Sequence, residues 1–117
     1  MNLETIREYC LNKKGVEETY PFDEVTPVYK VMGKMFLLAT IDFPPAINIK
    51  ADPEKIVEMR EEYDAVLPGY HMNKTYWNTV QLDNSIRDSV IFEWIDDSYN
   101  LVVEKLKKAD REKLEKM

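Results

Sequence analysis

The side chains best suited to chemistry are concentrated in one stretch of the chain, residues 66–83. This stretch contains the only histidine of the protein, His71. Histidine ionises closest to neutral pH, so His71 is the first candidate for a general acid, a general base or a ligand. Its neighbours add further candidates, namely Asn73, Lys74, Tyr76 and Asn78.

These neighbours include the residue types that nucleic-acid recognition requires. Lys74 can contact a phosphate, and Tyr76 can stack on a base. The amides of Asn73 and Asn78 can bond base edges. The same residue types also serve the structure of a loop, because asparagine amides satisfy backbone groups and a histidine can bond a carbonyl. The segment is therefore predicted to be a nucleic-acid or ligand site, with a purely structural role as the alternative.

No catalytic or metal-binding motif accompanies these residues. The sequence has no nucleophile elbow, no glycine-rich phosphate loop, and neither His-x-x-x-His nor Cys-x-x-Cys. The single cysteine, Cys10, lies on the apolar stripe of a predicted helix, which is typical of a buried small hydrophobe. We therefore predict that the protein is not an enzyme and uses no metal or cofactor.

A turn and a strand are predicted to position the candidate loop. Pro68-Gly69 is typical of a turn, since proline presets one backbone angle and glycine accepts the left-handed conformation that follows. Residues 77–82 alternate apolar and polar side chains, which indicates a half-buried strand. The loop between them, residues 70–76, is expected to have a defined shape.

A hairpin predicted over residues 28–41 provides a second candidate surface. Two strand-like runs, 28–32 and 35–41, are separated by Gly33-Lys34, which indicates a tight turn. Lys30 and Lys34 lie near this tip, where they can reach a groove of DNA or simply face solvent. In this register the core-facing residues would be Tyr29, Val31, Phe36, Leu38 and Thr40. The opposite face would be unusually apolar, which indicates a partner or cover by another segment.

The remaining patterns complete an α+β domain. Helical spacing predicts helices over about residues 3–13 and 53–62, and short strands are expected at 16–20 and 46–50. A stripe from Ile91 to Leu106 predicts either one long helix or two with a break near Asp97. The tail beyond Leu106 is expected to fray or project. The prediction is a two-layer sandwich, an antiparallel sheet of about five strands with helices on one face, formed by residues 1–117 as a single domain.

The charge balance limits the choice of ligand. Sixteen Lys and Arg residues against 22 Asp and Glu residues give a formal net charge of −6 and a pI near 4.8. An acidic protein repels a phosphate backbone, so non-specific DNA binding is disfavoured unless a local basic patch overcomes the average. The longest apolar run, residues 35–39, is too short to span a bilayer, and no secretory signal is recognisable. We therefore expect a cytoplasmic protein without a membrane partner.

Motifs along nearly the whole chain resemble those of the MmcQ/YjbR family of small bacterial proteins. They are Gly33-Lys34-Met35-Phe36, Lys50 with Asp52-Pro53-Glu54, Pro68-Gly69-Tyr70-His71-Met72-Asn73-Lys74, Trp77-Asn78-Thr79-Val80 and Asp97-Ser98-Tyr99-Asn100-Leu101-Val102-Val103. The resemblance implies a double-wing fold and a DNA-binding, transcription-associated function, and it implies no reaction.

Two functions are therefore predicted from different classes. The first is DNA binding through the loop at residues 71–78 and the wing at residues 30–34. The second is a non-catalytic adaptor that binds a protein or a small ligand, which the acidic pI and the apolar second face of the sheet favour.

Overall fold

The computed structural model describes residues 1–70 and 72–117. Its helices are α1 (Leu3–Leu11), α2 (Pro53–Glu62), α3 (Asp88–Glu104) and α4 (Lys108–Glu115); its strands are β1 (Val16–Thr19), β2 (Val28–Val31), β3 (Lys34–Thr40), β4 (Ala46–Lys50), β5 (Val66–Pro68) and β6 (Trp77–Gln81). The strands form one antiparallel sheet in the order β1-β2-β3-β4-β6-β5. The α+β class is thus confirmed. None of the helices within the described ranges is long and apolar enough to cross a membrane.

The hydrophobic core lies between the helices and one face of the sheet. From the helices it takes Ile6, Cys10, Ile56, Met59, Ile91, Trp94, Ile95 and Val102, and from the strands Leu37, Ala39, Ile47, Ile49 and Val80. These strand residues alternate with others that point to the opposite face, because successive side chains of a strand point to opposite sides. The helices therefore cover one face and leave the other open to the loops.

The hairpin of β2 and β3 differs from the predicted register. Its turn consists of Met32 and Gly33, both with positive φ, as a two-residue primed turn requires. Tyr29 pairs with Leu37 and Lys30 pairs with Met35, so Phe36 of β3 is left without a partner in β2. This extra residue is a β-bulge. From Leu37 onward the faces are exchanged, because a one-residue slip moves every following side chain to the other side. Leu37 and Ala39 therefore enter the core, whereas Leu38 and Thr40, predicted to face it, lie on the open face.

The sheet has six strands in the described residues, rather than about five. The additional strand is β5, which has only three residues and pairs antiparallel with β6. Its central residue Leu67 is directly opposite Thr79. Because β5 and β6 form a hairpin, the candidate loop is the connection between two neighbouring strands.

The C-terminal region also differs from the prediction. Helix α3 continues through Asp97 to Glu104, and the break lies between Glu104 and Lys108. The tail does not project, since α4 packs Leu114, which is 5% exposed, against the core. Gly15 has a φ of +74°, and a Cβ atom there would collide with the Leu114 side chain. The close approach of these two segments explains why a glycine occupies position 15.

Candidate ligand-binding cleft

A cleft of about 790 Å³ lies on the open face of the sheet. Its floor consists of side chains from β3, β4 and β6, namely Leu38, Thr40, Ala46, Asn48, Thr79 and Gln81. The strand register places these residues side by side, with Asn48 opposite both Leu38 and Thr79, and Ala46 opposite both Thr40 and Gln81. The cleft is thus built on the most regular part of the sheet.

Three loops form the walls of the cleft. Phe22 comes from the β1–β2 connection, Phe43 and Pro44 from the β3–β4 connection, and Tyr70 and Met72 from the β5–β6 connection. The three aromatic side chains are 68%, 101% and 72% exposed, respectively. Contiguous exposed apolar groups around a concavity are typical of a binding surface.

The charged residues that line the cleft, among those the structure describes, are the two carboxylates Asp23 and Asp42. Asp23 accepts hydrogen bonds from the backbone N–H of Val25 at 2.8 Å, and from the hydroxyl and N–H of Thr26. These bonds lower the pKa of Asp23, so it remains ionised at neutral pH. The cleft is therefore suited to a neutral or cationic ligand.

A short chain of hydrogen bonds orients one amide at the floor. The backbone N–H of Tyr70 donates to the Thr79 hydroxyl at 3.1 Å, and this hydroxyl donates to Oδ1 of Asn48 at 2.6 Å. Every buried side-chain nitrogen and oxygen within the described residues has a hydrogen-bond partner. Asn48 is 2% exposed and its amide nitrogen makes no bond there, so that nitrogen must reach the cleft surface. The floor thus presents one oriented donor in apolar surroundings.

The predicted loop forms part of one wall, and its polar residues Asn73 and Lys74 are not among the residues that line the cleft. Asn73 is exposed, its Oδ1 accepts the Thr75 N–H at 2.9 Å, and its carbonyl accepts the N–H groups of Tyr76 and Trp77. Lys74 is exposed beside it. His71 lies outside the described residues. Asn73 therefore shapes the loop through its side-chain oxygen and its carbonyl.

Asn78 is fully buried beneath this loop. Its Oδ1 accepts a hydrogen bond from Nε of Arg60 at 2.7 Å, and its Nδ2 donates to the carbonyl of Ile56 at 3.1 Å. The Arg60 guanidinium also donates to the carbonyls of Lys74 and Trp77. Asn78 has no access to a ligand, and its place in the structure is to join α2, β6 and the loop.

Tyr76 is not among the residues that line the cleft, and two lysines approach its ring. The Nζ of Lys50 is 5.9 Å from the ring centroid, and the Nζ of Lys105 is 5.6 Å from it. On the other hairpin, Lys30 is half-buried opposite Glu17, and Lys34 is exposed. The structure thus brings none of the predicted lysines into the cleft.

The sequence did not indicate the cleft residues of β3, because the bulge places Leu38 and Thr40 on the open face instead of the core face. One signal was available in β4, where Asn48 interrupts the apolar run from Ala46 to Ile49. A polar residue within a buried strand requires a partner or faces a polar environment. Arg60 had a similar signal, since it follows Ile56 by four residues and so lies on the buried side of α2.

The architecture is that of a small α+β fold, with helices on one face of an antiparallel sheet and a loop-walled cleft on the other. The family model described as YjbR matches residues 11–101, and the chain belongs to this family.

Relatives of similar length extend the likeness over almost the whole chain. The chain is 37% identical to the uncharacterized protein YbdF of Escherichia coli O157:H7, over 95% of this chain and 92% of that protein. It is 32% identical to the uncharacterized protein YjbR of Escherichia coli strain K12, over 97% of this chain and 98% of that protein. Both relatives are matched over nearly their full length.

Solved structures show the same fold. The crystal structure of Deinococcus radiodurans protein DR2400, with a DUF419 domain, superimposes with a TM-score of 0.89 at 35% identity, covering 97% of this chain and 87% of that chain. The crystal structure of a Pseudomonas syringae protein gives a TM-score of 0.77 at 26% identity, covering 86% of this chain and 98% of that chain.

Proposed function

We propose that this protein is a non-catalytic, cytoplasmic binding protein that takes a small, largely apolar ligand in the cleft on the open face of its sheet. The observation that carries the proposal is the combination of an apolar, loop-walled cleft with one oriented amide at its floor. Ligand sites commonly combine apolar walls with a few fixed polar groups that set orientation. The volume of about 790 Å³ is within the range of small-molecule sites.

The chemistry of the lining defines the ligand class. Phe22, Phe43 and Tyr70 place aromatic side chains around the cleft, which suits a flat or aromatic ligand. The Asn48 amide nitrogen donates to a carbonyl, ether or ring-nitrogen acceptor. Asp23 and Asp42 disfavour an anion and favour a neutral or positively charged molecule. We therefore propose an aromatic, neutral or cationic ligand with one acceptor that reaches the floor.

Side-chain amide resonances of Asn48 provide a direct test. Indole, a neutral aromatic probe, and tryptamine, its cationic counterpart, are titrated into labelled protein, with benzoate as the anionic comparison. We expect saturable shifts at Asn48, Thr79 and Gln81 for the first two probes and weaker shifts for benzoate. Shifts confined to the helical face, or no saturation with any probe, would contradict the proposal.

Two matched variants locate the binding. Leu67 and Val57 are both exposed aliphatic residues, but only Leu67 lines the cleft. Leu67→Lys places a charge on the apolar wall and should weaken binding of either probe at least about tenfold, or about 1.4 kcal/mol. Val57→Lys, on α2, should leave the affinity unchanged. Equal effects of the two changes would show that the probes bind elsewhere.

DNA binding is the second candidate, and the exposure of Lys34 and Lys74 supports it. The strand register places these lysines toward the same end of the sheet, with Lys30 and Tyr76 also near that end. Against it stand the net charge of −6 and the carboxylate of Glu17 opposite Lys30.

A titration of mixed-sequence duplex DNA at low salt tests this second candidate. Binding through these lysines should weaken steeply with salt, and Lys34→Ala with Lys74→Ala should reduce both the affinity and the salt slope. No saturable binding at tens of micromolar protein would remove general DNA affinity from consideration.

A further inference from the structure

Two lysine ammonium groups converge on one tyrosine ring, away from the cleft. Lys50 ends β4, and Lys105 follows the last residue of α3. Tyr76 is held next to Lys50, because the N–H of Ala51 donates to the Tyr76 carbonyl at 2.9 Å. Tyr76 is 38% exposed, Lys105 is exposed and Lys50 is half-buried, so this cluster lies at the surface.

Neither of these two lysines is held in an ion pair with a carboxylate among the described residues. Burial, followed by the charge of Lys105, lowers the pKa of Lys50, and no carboxylate acts in the opposite direction. Two like charges held close together are unfavourable unless a counter-charge joins them.

A guanidinium group lies at the C-terminal end of α3, beside Lys105. A helix C-terminus normally repels anions, because its last carbonyl groups carry partial negative charge. Here a guanidinium nitrogen of Arg111 donates to the carbonyl of Glu104 at 2.8 Å, and it lies 3.4 Å from that of Leu106. This guanidinium offsets the carbonyl charge beside Lys105.

We propose that Lys50, Lys105 and Tyr76 form a site for a small oxyanion of the phosphate type. Each ammonium group donates charge-assisted hydrogen bonds to the oxyanion, and the tyrosine ring fixes the spacing of the two lysines by cation–π contact. The site is separate from the proposed cleft and does not depend on a ligand there.

The neighbouring cavity restricts the size of the anion. Three carboxylates, those of Asp52, Asp97 and Glu104, line this cavity next to Ala51, and Lys55 is its one cationic residue among those described. An extended polyanion that ran past Tyr76 would meet this negative surface. A single phosphate group avoids it.

Inorganic phosphate is the first probe, with chloride at equal ionic strength as its reference. NMR spectra of lysine side-chain carbons should show a saturable shift at Lys50 and Lys105 only, and the measured pKa of Lys50 should rise when phosphate is present. Lys50→Gln and Lys105→Gln should each weaken binding at least about tenfold. Lys34→Gln, which removes the same charge from the hairpin tip, should have no effect.

The role of the ring is tested separately. Tyr76→Phe keeps the ring and should retain phosphate binding, whereas Tyr76→Leu removes it and should weaken binding several-fold.

A short oligothymidylate distinguishes a free phosphate from a phosphate in a nucleic acid. If the oligomer binds, inorganic phosphate does not, and Lys50→Gln abolishes binding of the oligomer, the site is one for a backbone phosphate. Equal shifts at Lys34 and Lys50, or no shift at Lys50 with either probe, would overturn the proposal.

Discussion

Replacing Asn78 by alanine should strongly destabilise the fold, although the residue lies next to the exposed β5–β6 loop. The change leaves Nε of Arg60 and the carbonyl of Ile56 without their partner. A hydrogen bond to a charged group contributes about 1.5–3 kcal/mol, and a neutral one about 1 kcal/mol. We therefore expect the free energy of unfolding to fall by about 3 kcal/mol, out of the roughly 5–15 kcal/mol of a typical domain.

Urea denaturation of the wild type and Asn78→Ala measures this loss directly. The melting temperature should fall by about 12 to 24 °C for a loss of about 3 kcal/mol, since 1 kcal/mol corresponds to roughly 4–8 °C in a domain near this size. Asn100→Ala is the control, because Asn100 is exposed on α3, and its effect should be within about 0.5 kcal/mol.

A double-mutant cycle with Arg60→Met identifies the partner. If the two side chains act through their mutual bond, their coupling energy should exceed about 1 kcal/mol. A loss below about 1 kcal/mol in Asn78→Ala, or additive effects in the cycle, would refute the assignment of Asn78 to the scaffold. Asn78 would then return to the list of candidate binding residues.

Three further predictions concern the core, alkaline pH and the contact of α4. Trp94→Ala should cost about 3–5 kcal/mol in urea denaturation, because Trp94 is 5% exposed in the core; a midpoint near the wild-type value would contradict this. Burial raises the pKa of Cys10 and of Tyr9 to about 12, from ordinary values of 9.0 and 10.0. Because the folded pKa values lie above the unfolded ones, the stabilising contribution of these two groups should be complete below about pH 9 and be lost as the pH approaches 12, as urea midpoints between about pH 8 and pH 12 will show. Gly15→Ala should lower the melting temperature, because it combines a left-handed backbone with a clash against Leu114; an unchanged melting curve would disprove that contact.

Helix and strand positions were predictable where periodicity and capping agree. The first helix begins after Asn2, whose Oδ1 accepts the Thr5 N–H at 2.8 Å, as the capping preference predicts. Strand β4 and helix α2 occupy the predicted ranges. In these segments the local signals and the tertiary packing favour the same conformation.

The hairpin faces were not predictable from alternation alone. A bulge adds one residue to β3, and no residue type in the segment marks its place. The turn was displaced by one position, because Met32 adopts a positive φ that methionine rarely takes. Since the open face of β3 forms the floor of the cleft, this single slip also hid the candidate site.

The C-terminal tail shows a different kind of failure. Leu114 stands among charged residues, so the sequence lacks an apolar stripe there. Its burial depends on Gly15, about one hundred positions earlier, which leaves space for the leucine side chain. A contact between such distant segments leaves no pattern within either of them.

The helices pack on one face of the sheet, and the cleft lies on the other. Residues on these two faces therefore differ in how far they can be substituted without disturbing the core. Substitutions at Phe22, Phe43 or Met72 alter the walls of the cleft without removing a residue from the hydrophobic core. A change at Ile47 or Val80 affects packing under the helices instead. The shape and chemistry of the cleft can therefore change through loop residues while the packing of the core stays the same.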